Sequence, residues 1–127
     1  MLYKIHSRKS LTGIAQGLEA AAQRHEFSIL GVHDLKAKMV EKGLEFGRDC
    51  RVFEVCNALQ AKKVLEANIE ISTALPCRIS AYQEGDGVTL ATLRPTTLLG
   101  MFGTPGLEAV AQEVEETLVA MMQEAAE

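Results

Sequence analysis

Cysteine is scarce: the 127 residues hold three, Cys50, Cys56 and Cys77. An odd number of thiols without a secretory segment points to reduced cysteines and not to a disulfide framework. Met1 to Ser10 lacks an apolar signal core followed by a cleavage site, so the chain is expected to stay in the cytoplasm. Long apolar runs are missing too, and none approaches the roughly 20 residues that a membrane span needs. There is no basic excess: 13 Lys and Arg stand against 17 Asp and Glu, for a net charge of −4. Nucleic-acid binding needs a basic footprint to neutralise phosphates, so no nucleic-acid partner is expected. The basic side chains are scattered: Arg8 and Lys9, Lys36 to Lys42, Lys62 and Lys63, then Arg78 and Arg94. Most read as solvated surface charge, with room left for a local anion site. No internal repeat, linker or low-complexity tract interrupts the chain. No phosphate loop, dinucleotide fingerprint, serine-nucleophile elbow or metalloprotease motif occurs in it.

What is present suits a globular protein: 47% hydrophobic and 24% charged residues. That apolar content is too high for disorder. The length suits one domain, residues 1–127, able to bury about two-thirds of the surface its unfolded chain exposes. Such a domain needs neither disulfide nor metal to hold its core.

The apolar pattern predicts the order β-α-β-α-β-α-β-β-α. Leu2 to His6 reads as a short strand. Ser10 then caps a helix whose apolar face is Leu11, Ile14, Leu18, Ala21 and Ala22, ending near His25. Within it, Gly13 and Gly17 weaken the helix or admit another backbone. Phe27 to His33 reads as a buried strand, with Leu30 and Val32 on one face and Phe27, Ile29 and Gly31 on the other. Asp34 caps a short helix through Lys42, with Gly43 in its C′ position. Cys50 to Cys56 is the next strand; Val52, Glu54 and Cys56 share a face with Cys50, and Arg51, Phe53 and Val55 share the other.

Asn57 caps a helix from Ala58 to about Asn68. Ile69 to Pro76 reads as an apolar connector, with a strand starting just after the proline. Cys77 to Gln83 and Val88 to Leu93 form a hairpin around Glu84, Gly85, Asp86 and Gly87. Thr96 to Gly103 is more apolar than a normal loop, and could cover the sheet, line a pocket or sit in a dimer interface. Thr104 with Pro105 predicts the N-cap and first turn of a last amphipathic helix carrying Leu107, Val110, Ala111, Val114, Leu118, Met121 and Met122. With an apolar stripe on every helix, the helices are expected to cover one sheet in a two-layer α+β domain.

Several stretches carry a family resemblance: Phe27-Ser28-Ile29-Leu30-Gly31-Val32-His33-Asp34, Phe53-Glu54-Val55-Cys56-Asn57, Ala61 with Val64-Leu65-Glu66, and Leu75-Pro76-Cys77-Arg78-Ile79. Together with the hairpin, Pro95 and the amphipathic last helix, they resemble the bacterial and archaeal family called domain of unknown function 302. The resemblance spans nearly the whole chain. It implies a fold similar to the TATA-box-binding-protein-like class, a curved antiparallel sheet packed by helices, and it implies a homodimer. Ala58 stands where the family often has proline; either suits the first turn of a helix. DNA binding does not follow from such a fold, because function lives in sites.

Cys56 ends a strand immediately before a helix start, where backbone N–H groups and the helix dipole can lower a thiol pKa. Cys77 opens a strand after a proline. Both lie at element ends, where sites commonly form. They read either as a thiolate pair for a metal, persulfide or thiol exchange, or as two small buried hydrophobes. Their 20 intervening residues match no zinc-ribbon or redox motif. His33 is a third ligand or proton carrier beside them, or a half-buried histidine next to a capping Asp34. Glu54, if covered, needs a partner such as Arg78 or Arg94. His6 and His25 show no partner. Met101, Phe102, Met121 and Met122 read as core, dimer interface or the wall of a flexible apolar pocket.

Three functions follow as expectations. The first is a binding protein holding a small molecule or soft metal near Cys56, Cys77, His33, Asn57 and Glu54. The second is a sulfur-transfer or redox protein with Cys56 as nucleophile and Cys77 as resolving thiol. The third is a homodimeric interaction module, its interface built from the last helix and Thr96 to Gly103. No base or orienting group for catalysis is identifiable, and no cofactor is assigned.

Overall fold

The structure is a computed structural model that describes residues 1–127. Five strands form one antiparallel sheet: β1 (Leu2–Ser7), β2 (Ser28–Asp34), β3 (Cys50–Cys56), β4 (Cys77–Glu84) and β5 (Gly87–Leu93). Their spatial order is β1-β5-β4-β3-β2. The first strand therefore closes one edge against the last, Leu2 opposite Leu93 and Ser7 opposite Val88. The chain returns through α1 (Leu11–Arg24), α2 (Leu35–Glu41), α3 (Ala58–Ala67), α4 (Pro95–Gly100) and α5 (Glu108–Ala126).

Local chemistry sets most helix starts. The Ser10 hydroxyl accepts from Gly13 N at 3.1 Å, Asp34 Oδ1 from Ala37 N at 2.9 Å, and Asn57 Oδ1 from Gln60 N at 3.0 Å. Each satisfies one of the free N–H groups that a first turn leaves over. α2 ends as predicted at Gly43, whose φ of 78° lets Leu44 N reach back to Met39 O at 2.9 Å. α1 ends in the same geometry without a glycine: Glu26 sits at φ 60°, and Phe27 N donates to Ala22 O at 2.9 Å.

α1 and α5 lie together on one sheet face. Ile14, Leu18, Ala21 and Ala22 of α1 meet Val114, Leu118, Met121 and Met122 of α5 over Phe53, Val55, Ile79, Ala81, Val88 and Leu90 of the sheet. Gly17 permits the close approach: a Cβ there would stand 3.0 Å from the Ala125 Cα. A smaller apolar cluster, Val64, Ile71, Leu99, Leu107 and Ala111, joins α3, α4 and the start of α5 at one end of the sheet. Neither apolar cluster draws on the opposite sheet face.

Several expectations change in detail. The connector after α3 contains a 3-10 helix, Ile69–Ala74, that closes over Ile71, and Pro95–Gly100 folds into α4 with its proline in the first turn. The last helix starts at Glu108, not at Thr104. Thr104 does not cap it; its hydroxyl accepts from Asn68 Nδ2 at 3.0 Å. α2 buries no side chain and stays outside the helical layer. β2 is an edge strand, not a buried one. A bulge between Ile29 and Gly31 breaks its alternation, so Gly31 lies opposite Glu54 rather than on the Ile29 face. Leu30 and Val32 are left exposed. The apolar face of α5 is spent inside the monomer, with Met121 and Met122 fully buried.

Candidate functional site

A cavity of about 720 Å³ opens between the two apolar clusters and runs onto the uncovered sheet face. That volume is in the range of small-molecule sites, whereas protein interiors are otherwise close-packed. Phe27, Val55 and Val114 reach it from the main core, and Val64 and Leu99 from the smaller cluster. Val52, Ser80, Tyr82 and Ala91 form its floor on the sheet. The 3-10 segment supplies Thr73 and Ala74, and the α4 region supplies Pro95, Leu98, Met101 and Phe102. Of the apolar pocket expected from methionine, Met101 and Phe102 belong here, while Met121 and Met122 are core.

Cys56, Cys77 and Asn57 all line this cavity, so the strand-end reading brings three of the five expected residues to one place. Their chemistry differs from the expectation. Burial pushes the Cys77 thiol up to about 11, and the neighbouring Cys56 thiol adds to the shift. Burial raises Cys56 as well. Desolvation of a thiolate thus outweighs the helix start at Asn57, and both cysteines are held as neutral thiols. Asn57 is committed twice, capping α3 and donating from Nδ2 to the Glu26 carbonyl at 3.2 Å.

His33 and Glu54 lie outside the lining, on the uncovered face. His33 Nε2 donates to Glu54 Oε1 at 3.0 Å, and His33 Nδ1 accepts from Lys38 Nζ at 3.3 Å. Gly31, brought opposite Glu54 by the bulge, leaves the space this carboxylate occupies: a Cβ there would stand 3.3 Å from Oε1. The second carboxylate oxygen of Glu54 is 3.7 Å from Arg78 Nε. The hydrogen bond with His33 holds the Glu54 carboxyl below its ordinary 4.5, against its partial desolvation, with Arg78 helping. Arg94, the other expected partner, pairs instead with Glu115. His6 and His25 do have partners, Asp86 and Thr89 for the first and Glu124 for the second.

Two lining residues were not among the expected site residues, although Arg78 was expected as a partner of Glu54. Arg78 is the one charged side chain in the cavity wall, and Gln60 carries a buried Oε1 with no hydrogen-bond partner. Their signals were faint. Arg78 stands next to Cys77 in a strand of alternating residues, and Gln60 follows the Asn57 cap by one helical turn. No three His, Cys, Asp or Glu side chains converge to hold a metal ion. No helix is long and apolar enough to cross a membrane.

The fold and cavity define an α+β protein: one antiparallel sheet, helices on one face, and an apolar recess at the sheet's end. The family described as "Domain of unknown function DUF302" matches residues 3–125, and the chain belongs to it. The chain is similar to a solved structure, an uncharacterized conserved DUF302 protein from Bacillus stearothermophilus, with a TM-score of 0.92 and 29% identity. The match covers 98% of this chain and 97% of that one. No curated protein matches.

Proposed function

We propose that this protein binds a small, largely apolar molecule in the cavity between its two apolar clusters. The observation that carries the reading is the cavity itself: about 720 Å³ of space walled mainly by aliphatic and aromatic side chains. The lining supports binding over chemistry. Its two thiols are neutral, it holds no carboxylate, and the His33–Glu54 pair lies outside it. The mainly apolar wall favours an organic occupant over a soft metal. The sulfur-transfer alternative required an easily ionised Cys56, and burial works against that.

Fluorescence of the neutral dye N-phenylnaphthylamine tests the proposal. Saturable enhancement is expected with the unaltered chain, and weaker binding with Ala61→Trp, which pushes an indole into the cavity. A signal that never saturates, or that Ala61→Trp leaves alone, would sink the reading.

A second reading draws on the uncovered sheet face. The cavity floor on Val52, Ser80, Tyr82 and Ala91 belongs to that face, and Leu2 and Leu93 stand exposed at its edge. A second copy laid on it would roof the cavity, in keeping with the homodimer that the family resemblance implies. Sedimentation equilibrium at micromolar concentration tests this: a dimer is expected, and a monomer insensitive to concentration counts against it.

A further inference from the structure

The cavity wall contains 26 residues, and one of them is charged: Arg78. In a chain of net charge −4 this is a local reversal of sign. Arg78 stands at the second position of β4, its side chain 63% exposed, so it marks the rim where cavity meets solvent. Its nearest charged neighbour is Glu54, whose Oε2 lies 3.7 Å from Arg78 Nε. No nitrogen of the guanidinium makes a hydrogen bond within the chain, and Glu54 is its one carboxylate neighbour. Glu54 is itself fixed by His33 at 3.0 Å, so it braces the guanidinium from one side and leaves its outer edge free.

A guanidinium edge offering two parallel N–H bonds matches a carboxylate in bidentate fashion. The rest of the wall offers the body of such a ligand only apolar contacts and neutral polar groups. From this juxtaposition we infer that the occupant is an amphipathic monoanion, an apolar body bearing one carboxylate, with the carboxylate seated on Arg78. The inference rests on the cavity being a binding site and adds the chemical class of its ligand. The charge count limits that class. Glu54 beside Arg78 adds a negative charge to the rim, so a second negative charge on the ligand would meet repulsion without a second cation. A cationic head group would meet Arg78 itself.

Isothermal titration calorimetry of the full chain with decanoate, decanol, decylamine and decyl phosphate tests the inference, because the four share one apolar body. Decanoate is expected to bind at least about tenfold tighter than decanol, as charge-assisted hydrogen bonds at a rim provide. Decylamine is expected to bind weakest, and decyl phosphate more weakly than decanoate. In Arg78→Met the decanoate-to-decanol affinity ratio should fall to near one. Thermal unfolding of that variant checks its fold, and Arg78→Lys should restore part of the ratio. Equal affinities for decanoate and decanol, a preference that survives Arg78→Met, or a preference for the phosphate would overturn the carboxylate assignment while leaving the cavity a binding site. Failure of all four to bind would overturn both.

Discussion

At the scale of single residues, the cavity wall holds groups whose environment opposes their ordinary chemistry. Cys77 is the clearest, its thiol raised by burial to about 11 from an ordinary 9.0. An acid whose folded-state pKa is raised favours the folded protein while it stays neutral. The unfolded chain ionises first, so stability falls as pH rises from 9 toward 11. The loss across that window is roughly 2 kcal/mol, absent in Cys77→Ala, and urea unfolding at several alkaline pH values measures it. The same burial predicts slow alkylation: with iodoacetamide at pH 7.5, Cys77 should react well below the rate of an unstructured cysteine, by a factor on the order of 10 or more. Equal rates would mean that Cys77 is not shielded as its burial implies. Gln60 is the second case, since its buried Oε1 lacks a partner. Replacing it by methionine removes an unsatisfied acceptor at similar volume, and Gln60→Met should stabilise the empty protein by about 1 kcal/mol. A destabilised variant would mean that the amide finds a partner in solution.

Elements reveal which parts of the architecture are written locally. The caps at Ser10, Asp34 and Asn57 were legible because each is a contact between a side chain and a backbone three residues away. The start of α5 was misread because Thr104-Pro105 carries the same local signal, while its threonine hydroxyl is taken by Asn68 from another element. Nor could local pattern show the bulge in β2, since Leu30 fits simple alternation until the register with β3 is known. Cys56, Cys77 and Asn57 were found as site residues because they sit at element ends. Arg78 was not, because which face of β4 stays open depends on where α1 and α5 pack.

The α1–β2 turn gives this scale its tests. Glu26 holds a left-handed φ of 60°, a conformation that costs a side chain about 1 kcal/mol and glycine almost nothing. Glu26→Gly is expected to raise stability by about 1 kcal/mol, read from the urea midpoint. Asn57→Ala removes both the α3 cap and the hydrogen bond to the Glu26 carbonyl, and should cost about 1–2 kcal/mol. The two effects should not simply add, since the residues share that bond.

For the whole molecule, the sheet's asymmetry is the main consequence of topology. Placing β1 beside β5 brings both ends of the chain to one edge, and packing α5 on α1 leaves the other face free for the cavity floor. Acidic clamps tie this arrangement together. Glu124 joins the end of α5 to the end of α1, accepting from Arg24 at 2.7 Å and pairing with His25 at 2.6 Å. Glu115 joins α5 to the start of α4, accepting from the Thr96 hydroxyl and backbone and pairing with Arg94. Both carboxyls lie below their ordinary 4.5. For Glu124 the hydrogen bonds from His25 and then Arg24 are responsible; for Glu115 burial opposes the shift, and Thr96 and Arg94 outweigh it. A depressed carboxyl contributes stability that is complete above its unfolded value and is lost as pH falls through its folded one. The molecule should therefore lose stability as pH falls below about 4.5 and the two clamps protonate. Glu124→Gln and Glu115→Gln should each lower stability at pH 7 and flatten the decline between pH 5 and pH 3. Because the Glu115 clamp holds α4, whose residues wall the cavity, acid should release a bound amphiphile before the α1–α5 core unfolds. Dye release and far-ultraviolet circular dichroism followed along one acid titration would separate the two events, and coincident curves would show that cavity and core open as one unit.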